Sequence, residues 1–152
     1  MKPIAIGADD AAFEFRNSLV DYLTEQGIEI IDYSSDKQIK NSLYPDVANA
    51  VACSIKSGIH ERGILICGTG IGVAITANKV PGIRAAQCHD VFSAERARKS
   101  NNAQIMTMGA RVIGVELAKK LVQTWLNSEF EGGRSMAKVD RINHYDQLYS
   151  KK

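Results

Sequence analysis

Gly63-Ile64-Leu65-Ile66-Cys67, running without a break into Gly68-Thr69-Gly70-Ile71-Gly72, decides the fold of this chain. A short continuous apolar run bounded by turn residues is the pattern of a central parallel strand, buried on both faces. The three alternating glycines let the backbone approach a ligand closely. The apolar stretch that follows, through Lys79, predicts a helix. Strand, glycine-rich turn and helix together make one unit of an α/β sheet.

The same alternation extends in both directions. Upstream, Ile4–Ala8 predicts a strand that ends in Asp9-Asp10. Phe13 to Gln26 carries Phe13, Leu19, Val20 and Leu23 at helical spacing, and Gly27 stops it. Ile28–Asp32 predicts a second strand, and residues 33 to 44 a polar loop. Tyr44-Pro45-Asp46 opens a helix with proline in its first turn. Val47, Val51 and Ile55 share one face of that helix, which ends at Gly58. Downstream, Pro81-Gly82 is a turn, Ile83–Cys88 a fourth strand, and Asp90 a helix start. Ala103–Met108 predicts a fifth strand, with helices over Val112 to Leu126 and Arg134 to Tyr149. Five strands alternating with helices predict a five-stranded parallel sheet, helices on both faces, in one domain over residues 1–152. In such sheets ligands bind beyond the carboxyl ends of the strands. That singles out Asp9-Asp10, Cys67–Gly72, His89-Asp90 and Gly109–Arg111.

The composition narrows the function. With 152 residues, 45% hydrophobic and 24% charged, the chain has the make-up of a globular domain. Nineteen basic against 17 acidic residues leave a net +2, too balanced for a nucleic-acid coat. No apolar run approaches the roughly 20 residues of a membrane span. The N-terminus lacks the apolar core of a signal peptide. Three cysteines make no disulfide framework, so a reducing cytoplasmic setting is expected.

The loop after the third strand does not fit a dinucleotide fingerprint, because Val73 stands where the third glycine belongs. Nor does it end in the Gly-Lys-Ser/Thr of a triphosphatase. Cys67 is either an inert buried thiol or, at the mouth of an α/β site beside a helix start, a reactive one. Thr69 is either a turn residue or a hydrogen-bond partner for a substrate oxygen. The cysteines and histidines show no metal-ligand spacing, so no metal is expected.

Ile64–Gly72, Ala77-Asn78-Lys79-Val80-Pro81-Gly82-Ile83-Arg84, Ser93-Ala94, Asn101-Asn102, Gly109-Ala110-Arg111-Val112-Ile113-Gly114 and Glu131-Gly132-Gly133-Arg134 resemble the ribose-5-phosphate isomerase B and galactose-6-phosphate isomerase family over nearly the whole chain. The resemblance implies a Rossmann-like three-layer α/β/α sandwich acting as a homodimer or tetramer with shared active sites. The C-terminal helix, about 134–149, would pack on the partner. It implies aldose–ketose isomerisation of a sugar phosphate through a cis-enediolate, with no metal or organic cofactor. On that resemblance Cys67 is the base and Thr69 assists it. The backbone of Gly68, Gly70, Ile71 and Gly72 holds the enediolate, while Asp9 and Asn101 line the site. Arg111 binds phosphate, with Arg134 and Lys138 from the partner. Without the resemblance these basic residues read equally as solvated surface charge.

Three departures from the family pattern bear on substrate. Asp10 stands where the pentose-phosphate enzymes usually carry His. Ser100 stands where the ring-opening His usually precedes the asparagine, and Ser135 replaces another common His. A serine does not shuttle protons at neutral pH as an imidazole does. A tetrose 4-phosphate has O4 esterified, forms no furanose ring and needs no such histidine. The stretch from His89 to Gly114 is also similar to the branch of the family that interconverts D-erythrulose 4-phosphate and D-erythrose 4-phosphate in erythritol catabolism. His89 is either a partial substitute for the missing histidine or an exposed loop residue. Ribose 5-phosphate is the alternative substrate. Readings of another class are a non-catalytic subunit and a sugar-phosphate-binding module.

Overall fold

The structure, a computed structural model, describes residues 1–150. In chain order it contains β1 (Ile4–Ala8), α1 (Phe13–Glu25), β2 (Ile30–Asp32), α2 (Tyr44–Lys56), β3 (Gly63–Cys67), α3 (Ile71–Ala77), β4 (Ala85–Gln87), α4 (Val91–Lys99), β5 (Ile105–Gly109), α5 (Val115–Leu126) and α6 (Arg134–Ser150). The strands form one sheet in the order β2-β1-β3-β5-β4. Every pairing is parallel. The three inner strands are buried at every residue, which is why their apolar runs stand out in the sequence.

Two apolar layers hold the helices to the sheet. Leu19 and Leu23 of α1, Ala94 and Ala97 of α4, and Leu121 and Trp125 of α5 fill one side. Val47, Val51 and Ile55 of α2 and Val73 and Ala77 of α3 fill the other. The result is the expected three-layer α/β/α sandwich. Helix α6 buries only Val139 and lies outside both layers.

The edge strands are shorter than the apolar runs suggest, for local reasons. The Ile28 N–H is used to close α1, on the Leu23 carbonyl, so β2 starts later. The Ile83 N–H bonds the Val80 carbonyl, and the Arg84 N–H is taken by the Gln104 side chain. Ladder pairing of β4 therefore begins only at Ala85. Helix α3 ends at Ala77, two residues before Lys79, and the side chain of its C-cap Asn78 grips both the N–H and the carbonyl of Ala85. The expected start of α5 at Val112 gives way to a turn, in which the Val112 and Ile113 N–H groups both bond the Gly109 carbonyl.

Three arginines are buried, against the usual surface placement of this residue. Arg62 donates to the carbonyls of Trp125, Leu126 and Ser128, satisfying the C-terminal end of α5. Arg62 and Arg98 both reach Glu129, at 2.6 and 3.8 Å. Burial and the nearby Arg62 lower the Arg98 pKa to about 10. Glu129→Gln keeps the acceptor shape but removes the carboxylate that faces two desolvated cations. Because Glu129 itself is well solvated, the expected loss is only about 1 kcal/mol, read as a lower urea midpoint with an unchanged slope.

Candidate active site

The strand order reverses between β1 and β3, because the chain leaves β1 toward β2 and later returns on the other side. Loops diverge at such a point and leave a crevice. Here it is a cavity of about 330 Å³. Asp9 and Asp10 enter it from the end of β1, and Cys67, Gly68, Thr69 and Gly72 from the end of β3. Arg111 comes from the turn after β5. A second cavity of about 580 Å³ shares Asp9, Asp10 and Tyr44 and continues under the loop before α2.

The β3–α3 turn is held in one shape. Gly70 has φ +76°, and a Cβ there would lie 2.7 Å from the Met108 carbonyl carbon. No other residue fits that left-handed position against the neighbouring strand. The Gly70 N–H points back at the Cys67 sulfur, 3.2 Å away. The Ile71 N–H donates to the Thr69 hydroxyl at 3.2 Å. Cys67 is 6% exposed, whereas Thr69 is open to solvent. The other two thiols have different surroundings. Burial and Asp90 push Cys88 up to about 12, and Cys53 sits on the outer surface of α2.

Asp9 is fixed by an Asx turn in which the Ala11 N–H donates to Oδ1 at 3.1 Å. Partial burial raises its pKa above the usual carboxylate value, and Asp10 adds to the rise. The Ala11 N–H and the Arg111 charge pull the other way. The Arg111 side chain lies across Gly68, with Nη1 3.8 Å from where a Gly68 Cβ would be. The Arg111 cation thus lines the same cavity as the sulfur and the two carboxylates.

Tyr44 was not among the residues singled out from the sequence, where Tyr44-Pro45-Asp46 reads only as a helix start. Its ring covers the start of α3 and lines both cavities. A Cβ on Gly72 would come within 2.3 Å of the ring, so the third loop glycine makes room for Tyr44. The signal was that glycine, which has no φ above zero to explain it.

Other candidates lie elsewhere. His89 does not line the cavity. Its Nε2 accepts the Gly109 N–H at 2.9 Å and ties the end of β4 to β5. Ser100 and Asn101 follow α4, which runs back across the sheet to its opposite edge. Residue Gln104 there bonds Gly63, the first residue of β3, and Arg84, just before β4. The Ser100 hydroxyl accepts from Arg96 Nε at 2.8 Å. Arg134 and Lys138 are exposed on α6, whose Asn143 and Asp146 contact Arg84 and Gly82 at that same edge. Within one chain, then, Ser100, Asn101, Arg134 and Lys138 form a group apart from Cys67. No group of three or more His, Cys, Asp or Glu residues among those described is arranged to hold a metal ion. No helix among them is long and apolar enough to cross a membrane.

Comparison with known proteins gives this geometry a context. Residues 4–142 match the family model described as Ribose/Galactose Isomerase. A D-erythrulose-4-phosphate isomerase of Pectobacterium atrosepticum is 59% identical over 146 residues, 96% of each chain. A ribose-5-P isomerase B of Listeria innocua is 58% identical over 144 residues, 95% of this chain and 97% of the relative. Among solved structures, ribose-5-phosphate isomerase B of Clostridium thermocellum superposes with a TM-score of 0.92 at 43% identity, covering 99% of this chain and 100% of that one.

Proposed function

The chain belongs to the ribose/galactose isomerase family and is an aldose–ketose sugar-phosphate isomerase, and we propose that its preferred reaction is the interconversion of D-erythrulose 4-phosphate and D-erythrose 4-phosphate without a cofactor. The observation that carries the substrate is Ser100. Its hydroxyl is already engaged by Arg96, and a serine offers no imidazole for opening a furanose ring. A substrate whose O4 carries the phosphate never closes that ring.

In the proposed mechanism the Cys67 thiolate removes a proton from C1 of the ketose and returns it to C2, giving the aldose. The charge that develops on the two substrate oxygens is met by peptide N–H groups of the Gly68–Gly72 loop, other than the Gly70 N–H, which stays on the Cys67 sulfur, and the Ile71 N–H, which stays on the Thr69 hydroxyl. Thr69 exchanges a proton with those oxygens. Asp9, held ready by the Ala11 N–H, accepts from the sugar hydroxyls. Arg111 takes the phosphate, whose geometry suits a guanidinium.

Arg134, Lys138, Ser100 and Asn101 reach the substrate, on this reading, from a second copy of the chain. The exposed apolar residues of α6, among them Met136, Ile142, Tyr145 and Leu148, support a partner seated on that helix.

Ribose 5-phosphate is the second reading, favoured by the 58% identical relative that bears that name. A substrate panel separates the two. The expected result is a kcat/KM for D-erythrulose 4-phosphate at least about tenfold above that for ribose 5-phosphate, the loss corresponding to roughly 1.4 kcal/mol at the transition state. Equal or better turnover of ribose 5-phosphate would remove the ring-opening argument.

A further inference from the structure

Gln87 is the last residue of β4, exposed at the sheet edge and outside the cavity. Its side-chain amide donates to the Thr69 carbonyl at 2.7 Å. That carbonyl belongs to the same planar peptide as the Gly70 N–H, and in a trans peptide the two point in opposite directions. The Gly70 N–H is the group that meets Cys67 Sγ at 3.2 Å. A donor on the carbonyl end fixes the rotation of the peptide, and it polarises the N–H at the other end. The next peptide is pinned in the same manner. The buried Thr107 hydroxyl donates to the Gly70 carbonyl at 2.7 Å, and the Ile71 N–H then meets the Thr69 hydroxyl. Two side chains from neighbouring strands thus set the direction of two successive loop donors.

We propose that Gln87 is a positioning residue for Cys67: by holding the Thr69–Gly70 peptide it aims the Gly70 N–H at the sulfur and favours the thiolate. Its bearing on turnover rests on the reading of Cys67 as the base. The chemistry is that of a hydrogen bond to the charged form of an acid, which strengthens as the proton leaves.

The test follows the ultraviolet absorbance of the thiolate against pH in a Cys53→Ser background, with Cys53→Ser/Cys67→Ser as blank. Cys88, pushed up to about 12, is silent around neutrality. Gln87→Met keeps length and shape but removes the donor. Its expected effect is to raise the midpoint of the Cys67 signal by about 0.5–1 pH unit, with an unchanged far-ultraviolet spectrum. Gln87→Lys, which restores an N–H donor, should return the midpoint most of the way. A midpoint that Gln87→Met leaves in place overturns the proposal, as does a Lys variant that titrates like the Met variant. In kinetics the acid limb of kcat should move with the absorbance, costing about 3–10-fold below the midpoint with KM little changed. An absorbance shift with an unmoved acid limb would uphold the positioning role and refute Cys67 as the base.

Discussion

Cys67→Ala is expected to lower kcat by about 10²–10⁴-fold, the range that a positioned general base contributes, while leaving the fold intact. The side chain ends a strand whose core contacts are made mainly by Ile64, Leu65 and Ile66, and alanine removes one sulfur atom facing the cavity. The lost packing should therefore cost no more than about 1 kcal/mol. The effect on chemistry is larger because the only nearby alternatives are carboxylates. Partial burial raises the Asp9 pKa although Arg111 opposes the rise, which makes Asp9 the stronger rival as a base, but its Oδ1 is already held by the Ala11 N–H. Two measurements check this: steady-state turnover, and exchange of the C1 and C2 hydrogens with deuterated water. Both should fall together. A variant within tenfold of the parent in both would move the base elsewhere, and Asp9 would be the first place to look.

How much of this was legible in the sequence follows from where each interaction is made. The strand β3 and its loop stand out because burial on both faces writes an unbroken apolar run, and because the left-handed backbone of the turn itself requires Gly70. The parallel sheet with helices on both faces followed from the alternation of such runs with helical stretches. The strand order, and with it the switch point between β1 and β3, did not, because alternation does not say which strands are neighbours. What was not legible depends on partners far apart in the chain. Gln87 reaches Thr69 from 18 positions away and Thr107 reaches Gly70 from 37, with no periodicity to betray either. Arg16 looks like a solvated charge on α1, yet it is buried and grips Asp36 in the loop before α2. Its guanidinium holds the Asp36 carboxyl below the usual carboxylate range. His89 is a further case. The sequence left it open between a group that acts on substrate and an exposed loop residue, and its Nε2 accepts the Gly109 N–H from 20 positions away.

The separation of Cys67 from Arg134 and Lys138 leads to the second large effect. If a site is completed by two chains, Cys67→Ala and Arg134→Ala damage opposite halves of it. Arg134→Ala alone should raise KM and lower kcat/KM by about 10²-fold, because a charge-assisted contact to a phosphate is worth roughly 1.5–3 kcal/mol. Mixing the two variants under conditions that let subunits exchange should then restore activity that neither has alone. A mixed dimer carries one site with both lesions and one with neither, so a fully exchanged equal mixture holds about half its molecules as mixed dimers, each with one intact site. About a quarter of the parent's activity is therefore expected, far above either variant. The geometry supports this outcome. The cavity lies at the carboxyl end of β1 and β3, whereas α6 is tied to Gly82 and Arg84 at the opposite edge of the sheet. On the two-chain reading, a partner completes the site by docking its α6 near the open mouth of the cavity. Absence of rescue in a mixture shown to contain mixed dimers would mean that each chain completes its own site. Arg111, already across Gly68, would then have to bind the phosphate alone.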